Sequence, residues 1–191
     1  SAATTAISTI RHLRSKLLRD PTAIGLAIDI LGEDELLTPL DLPADVRSRI
    51  RFASLDCTLL DYKRLKQLCR EHLDCTPDQL STAHASPPCT TFSDAHHGNN
   101  PHRIRLTPRA GPEGDLARAH DKLNSVVLET LRELSRRAFR TVISVENPHN
   151  KWVHSAPVRR LLGSSGWFAV TADHCSNRAT DDPLFPRKRS T

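Results

Sequence analysis

Short β-rich runs that alternate with stretches of helical periodicity constrain this chain more than any other feature. The run TAIGLAIDI at 22–30 suits a buried strand, with Asp29 near its C-terminal end. Ile50 to Leu55 suits a second strand, closing on Asp56, and residues 80–86 a third, leading into Pro87-Pro88-Cys89. Thr141 to Val145 makes a fourth that ends at Glu146, and Trp167 to Cys175 a fifth. Between them the apolar spacing turns helical. Ile7, Ile10, Leu13 and Leu17 predict an amphipathic helix over 5–19, stopped by Asp20 and Pro21. Tyr62, Leu65, Leu68, Cys69 and His72 mark a second, ended by Thr76 and Pro77. Leu123, Val127, Leu131 and Leu134 mark a third over about 116–138, and Pro157 to Leu162 a short fourth. Residues 31–49, with prolines at 39 and 43, read as loop.

Such alternation argues for an α/β fold around a largely parallel sheet. In sheets of that kind ligands sit beyond the carboxyl ends of the strands. Asp29, Asp56, Cys89 and Glu146 all fall at predicted strand ends, which is where a site would be built. The 191 residues fit one domain, and no internal repeat divides them. The formal net charge of +5 favours an acidic partner, nucleic acid first. Five cysteines, an odd number without a disulfide spacing, suit a reducing, intracellular compartment. The longest apolar run, Ala23 to Leu31, already contains Asp29, so no membrane span is expected, and no signal-peptide pattern is visible. The chain holds no methionine, which leads to the expectation that it is a piece of something longer or a processed product.

Cys89 follows two prolines, which fix the backbone and remove two N–H donors. It opens a segment of small polar residues, Thr90, Thr91 and Ser93, around Phe92. Rigid presentation followed by a polar loop suits a nucleophile, although most free cysteines are inert structural thiols. The stretch from Thr90 to about Asp115 has no periodicity and is expected to be a mobile, functional loop.

SPPCTTFS at 86–93 resembles the central catalytic motif of cytosine carbon-5 methyltransferases, whose usual form is Gly or Ser, Pro-Pro-Cys, Gln, a variable residue, Phe, Ser. VENP at 145–148 resembles that family's Glu-Asn-Val or Glu-Asn-Pro motif, in the right order and separated by a helix and a strand. Thr90 stands where the family often has glutamine. The resemblance implies a Rossmann-like, S-adenosylmethionine-dependent methyltransferase three-layer sandwich. It implies catalytic roles for Cys89 and Glu146, with Pro88, Ser93 and Asn147 as substrate-binding residues and Asn147 fixing the Glu146 loop. The chemistry explains these residue types. Carbon 5 of cytosine is too weak a nucleophile to take a methyl group unaided, and a thiolate adding to carbon 6 makes it enamine-like. A carboxyl group donating to ring nitrogen 3 lowers the cost of the charge that develops. The target base would be flipped out of its stack to reach the thiol.

By the same resemblance, Asp29 matches the family's carboxylate for the cofactor ribose and Asp56 the one near the adenine. Arg187 and Arg189 in the basic tail match, without its glutamine, a Gln-x-Arg-x-Arg motif that meets base and phosphate. The family's Phe-x-Gly-x-Gly cofactor loop has no counterpart, since no glycine precedes Gly25. Residues 1–191 are thus expected to be a partial catalytic core, incomplete at the first strand and lacking the target recognition domain, with another segment or second chain completing the cofactor site. The expected function is methyl transfer from S-adenosylmethionine to cytosine carbon 5 in a polynucleotide. The family's base rate favours DNA over RNA, although the tRNA-modifying branch also carries Ser-Pro-Pro-Cys. The alternative is a catalytically inactive nucleic-acid-binding or regulatory domain that keeps the fold without the cofactor.

Other clusters are weaker. Cys69, His72 and Cys75 have metal-ligand spacing, and His174-Cys175 could complete a set, but Cys69 and His72 share the apolar face of a helix, so no metal is expected. His96, His97, His102 and Arg103 suit metal ligands, phosphate contacts or a polar surface loop. A cysteine protease built on Cys89 and a histidine lacks any local signature.

Overall fold

The computed structural model describes residues 13–37, 42–88, 91, 115–147 and 151–170. The chain is a mixed helix and strand protein with small parallel sheets. Helical residues 13–19 (α1) lead into β1 (Gly25–Asp29). Two short helices, α2 (Glu33–Leu37) and α3 (Ala44–Arg47), precede β2 (Ile50–Ser54). Then come α4 (Tyr62–Leu73), β3 (Thr82–Ala85), the long α5 (Asp115–Arg137), β4 (Val142–Val145) and α6 (Ala156–Leu162). Single 3-10 turns stand at Cys57–Leu59, Pro77–Gln79 and Lys151–His154.

β1 pairs with β2 in parallel, Gly25 opposite Ile50 through Asp29 opposite Ser54. β3 pairs with β4 in parallel, Thr82 opposite Val142 through Ala85 opposite Val145. Among the described residues these are two separate two-stranded sheets. Both nonetheless feed one core. Ile28 of β1, Ala83 and Ala85 of β3, and Ile143 and Val145 of β4 all pack against the cluster that Leu65 and Cys69 of α4 form with Leu131 and Leu134 of α5. On its other face β1 packs Ala27 against Leu17, Leu37, Val46 and Ile50. A third cluster joins Leu128 of α5 to Trp152, Val158 and Leu161.

Local chemistry explains the joints. Arg49 gathers the carbonyls of Leu17, Asp20 and Ala23 on one guanidinium nitrogen at 3.0, 2.9 and 3.3 Å, satisfying the orphan acceptors at the end of α1. α1 lies so close to β1 that a methyl group on Gly25 would overlap the Leu13 side chain. Asp61 caps α4 by accepting from the Arg64 N–H at 2.6 Å, and Thr76 with Gln79 forms a capping box on the following turn.

The expected strands at 22–30, 50–55, 80–86 and 141–145 are present in shortened form, and helices 62–73, 115–137 and 156–162 stand where the periodicity places them. Residues 31–49 differ from expectation. Pro43 opens α3 at its N-cap instead of marking loop, and the acidic Glu33, Asp34 and Glu35 favour the first turn of α2. Within the expected fifth strand, residues 167–170 belong to no strand, because Trp167 turns into the core and donates its indole N–H to Ser135 Oγ at 3.2 Å. Residues 171–175 of that segment, residues 5–12 of the first expected helix, and the expected loop from Thr90 to Asp115 apart from Thr91 and the helical Asp115 lie outside the described residues.

Candidate functional site at the strand ends

Four places mark the carboxyl ends of the strands: Asp29 as the last residue of β1, Asp56 after β2, Pro87-Pro88 after β3, and Glu146-Asn147 after β4. Each pair of neighbouring strands brings two of them together.

At the first pair, Asp29 accepts the Leu31 N–H at 3.0 Å and its carbonyl accepts the Leu55 N–H at 2.8 Å. Asp56 caps the Cys57–Leu59 turn, accepting the Thr58 N–H at 2.8 Å. Hydrogen bonds from Thr58, backbone first, hold the Asp56 carboxyl below the usual range, and the Lys122 ammonium of α5 adds to the effect. Cys57 follows Asp56, its thiol 3.9 Å from the Ile28 carbonyl and 3.8 Å from the Leu55 carbonyl. Its thiol is raised to about 11, by burial first and then by the nearby charges of Asp29 and Asp56. Asp29 and Asp56 therefore stand at the ends of paired strands, both within electrostatic reach of the Cys57 thiol, which stays protonated.

At the second pair, two asparagine amides hold the proline segment. Asn147 Nδ2 donates to the Pro87 carbonyl at 3.0 Å, and Asn124 Nδ2 of α5 donates to the Pro88 carbonyl at 3.1 Å. Asn124 is only 1% exposed. Its amide also donates to the His120 carbonyl at 2.8 Å and accepts the Trp152 indole N–H at 2.6 Å. Glu146 follows β4 directly and is tied to β3 through its N–H on the Ala85 carbonyl at 2.9 Å. Beside it, His84 Nδ1 lies 2.9 Å from Ser144 Oγ, and His84 Nε2 lies 3.1 Å from Ser86 Oγ and 3.7 Å from Glu146 Oε2.

Helix α5 spans both pairs. Thr130 Oγ1 donates to the Leu60 carbonyl at 2.5 Å, just beyond the Cys57–Leu59 turn, while Asn124 holds Pro88. No family model, curated protein or solved structure matches this chain.

Of the residues expected from the sequence, Asp29 and Asp56 meet at one pair of strand ends, and Pro88, Glu146 and Asn147 at the other. Cys89, Ser93, Arg187 and Arg189 lie outside the described residues, as do His96, His97, His102, Arg103, His174 and Cys175. Sequence reasoning missed Asn124, Trp152, His84 and Ser144. Two of these carry a readable signal, since His84 with Ser86 and Ser144 with Glu146 alternate in phase along two strands.

Cys69 is buried between α4 and α5, with its thiol pushed up to about 12 by burial and by its neighbour Cys75. Among the described residues no three histidines, cysteines or carboxylates are placed to hold a metal ion, and no helix is long and apolar enough to cross a membrane.

Proposed function

We propose that this chain carries the catalytic half of a cytosine carbon-5 methyltransferase acting on DNA, with Cys89 as nucleophile and Glu146 as its acid/base partner. The observation that supports it most is the double amide clamp, Asn147 on Pro87 and Asn124 on Pro88. It fixes the peptide that enters Cys89 to the same strand-end assembly that carries Glu146. A nucleophile and a carboxyl group that must meet opposite sides of one pyrimidine need such a shared frame.

In this reading a Cys89 thiolate adds to carbon 6 of the flipped cytosine. Glu146 donates a proton at nitrogen 3, and Asn147 keeps the proline segment in register with that carboxyl group. The fold is then a Rossmann-like methyltransferase sandwich in which a further strand, supplied by another segment, joins the two parallel pairs. Two neighbouring carboxylates, Asp29 and Asp56, suit a ligand that offers hydroxyl donors, as a ribose does. S-adenosylmethionine held there would supply the electrophilic methyl group.

One observation favours a second reading, a nucleic-acid-binding or regulatory domain that keeps the fold without the cofactor: among the described residues the two strand pairs are not hydrogen-bonded to each other. An oligonucleotide containing 5-fluorocytosine separates the two. Fluorine at carbon 5 blocks the final elimination, so the enzyme, with cofactor and any completing segment supplied, should be trapped as a covalent adduct. Cys89→Ser should abolish that adduct, because an alkoxide is far harder to generate at neutral pH than a thiolate. Unchanged trapping by Cys89→Ser would reject the nucleophile. Failure of the completed protein to bind S-adenosylmethionine in calorimetry would leave the second reading standing.

A further inference from the structure

Strands β3 and β4 bury small apolar residues on one face. Ala83, Ala85, Ile143 and Val145 all turn toward α4 and α5. Strand alternation places His84, Ser86, Ser144 and Glu146 together on the opposite face. His84 and Ser144 are direct register partners. The His84 side chain is 9% exposed and the Glu146 side chain 36%, so the imidazole lies beneath the carboxylate, which reaches the surface. The other ionisable groups of the cluster that packs on these strands, Tyr62, Cys69 and Cys75, line the α4–α5 face.

We propose that His84 is the positioning residue for Glu146, the two standing 3.7 Å apart as an ion pair, and that together they carry one proton for a substrate atom at the carboxyl group. What that substrate is rests on the methyltransferase reading; the shared proton does not. An isolated glutamate, with a pKa of about 4.3, is ionised at neutral pH and a poor donor, whereas imidazole, at about 6.5, changes charge close to neutrality. Ser86 and Ser144 suit both charge states, because a hydroxyl donates or accepts by rotating its own hydrogen. The ring therefore keeps its place as its charge changes. From 3.7 Å, the Glu146 side chain must first close to hydrogen-bonding distance of the ring; the proton then leaves Nε2 of His84 for Oε2 of Glu146, and the neutral carboxyl group donates it to the acceptor, ring nitrogen 3 in the proposed reaction. Imidazole is left neutral. On product release the proton returns by the same route.

Imidazole signals followed by NMR across pH test this in the intact chain, with His84 assigned from the signal lost in His84→Gln. In Glu146→Gln the His84 midpoint should fall, since a carboxylate at this distance stabilises the imidazolium. An unchanged midpoint overturns the proposal. Should His84→Gln not fold, the signal that moves in Glu146→Gln serves instead, and absence of any moving histidine overturns it equally. The functional arm uses the fluorocytosine adduct. His84→Gln should slow trapping by about tenfold or more and flatten its pH profile near neutrality, with oligonucleotide affinity unchanged. A wild-type rate and profile would overturn the proposal. If the wild-type protein, with cofactor and any completing segment supplied, gives no adduct at all, the methyltransferase reading fails while the titration still decides whether His84 and Glu146 share a proton.

Discussion

Asn124 has both ends of its amide engaged inside α5. Its nitrogen donates to Pro88 and His120 carbonyls and its oxygen accepts from Trp152. Asn124→Ala would strip the Trp152 indole N–H and the Pro88 carbonyl of these bonds in a dry setting. A buried polar group left without a partner costs about 1–3 kcal/mol. We expect Asn124→Ala to lower unfolding stability by about 2–4 kcal/mol, measured as a shift of the urea midpoint at constant slope. A drop within the scatter of surface substitutions would mean that the clamp contributes nothing. At this scale the sequence was legible where a residue's type and its place coincide. Glu146 at the end of a β-rich run, in VENP, was readable. Asn124 was not, because a helical stripe of Leu128, Leu131 and Leu134 invites reading only its apolar members. The informative residue was the polar one in phase with them. His84 was hidden for a related reason: its polar partner stands 60 residues away on β4.

Elements that depend on local spacing were the easiest to foresee. α4 and α5 follow their apolar periodicity, and Asp61 announces the start of α4. Prolines misled in one place, since Pro43 reads as a breaker but serves as a helix opener. Strand pairing was beyond reach, because the choice of neighbours depends on residues far apart in the chain. The joint between α1 and β2 was equally invisible. Arg49 precedes β2 by one residue yet terminates α1 by collecting its carbonyls. Arg49→Ala should leave those carbonyls to water and loosen α1 alone. The expected outcome is faster amide exchange over residues 13–24, with protection of α5 unchanged, read by hydrogen exchange. Uniform acceleration through the chain would show instead that α1 and α5 open together.

Across the described residues, the part-buried Cys57 and the buried Cys69 contribute most visibly to how the fold responds to alkali, with Cys75 and Tyr62 raised alongside them. Cys57 is raised to about 11 and Cys69 to about 12, both by burial first. In the unfolded chain a thiol ionises near pH 8.5. A folded state with raised pKa values keeps protons that the unfolded state releases. Its stability is therefore full below about pH 8.5 and falls as pH rises toward 11 and 12. Chemical denaturation at stepped pH should show this decline, and Cys57→Ser with Cys69→Ala should flatten it. A slope unaltered by the two substitutions would place the alkaline sensitivity elsewhere. A last consequence follows from α5, which reaches one pair of strand ends through Thr130 and the other through Asn124. Those two anchors sit on a single rigid rod, six residues apart in the chain. One residue inserted between them would turn one anchor by about 100° relative to the other. The rod works as a calliper whose jaws are the carboxylate turn and the diproline turn. Its setting is fixed by residue count, so evolution can recolour either jaw freely but can change the gap only in whole helical turns.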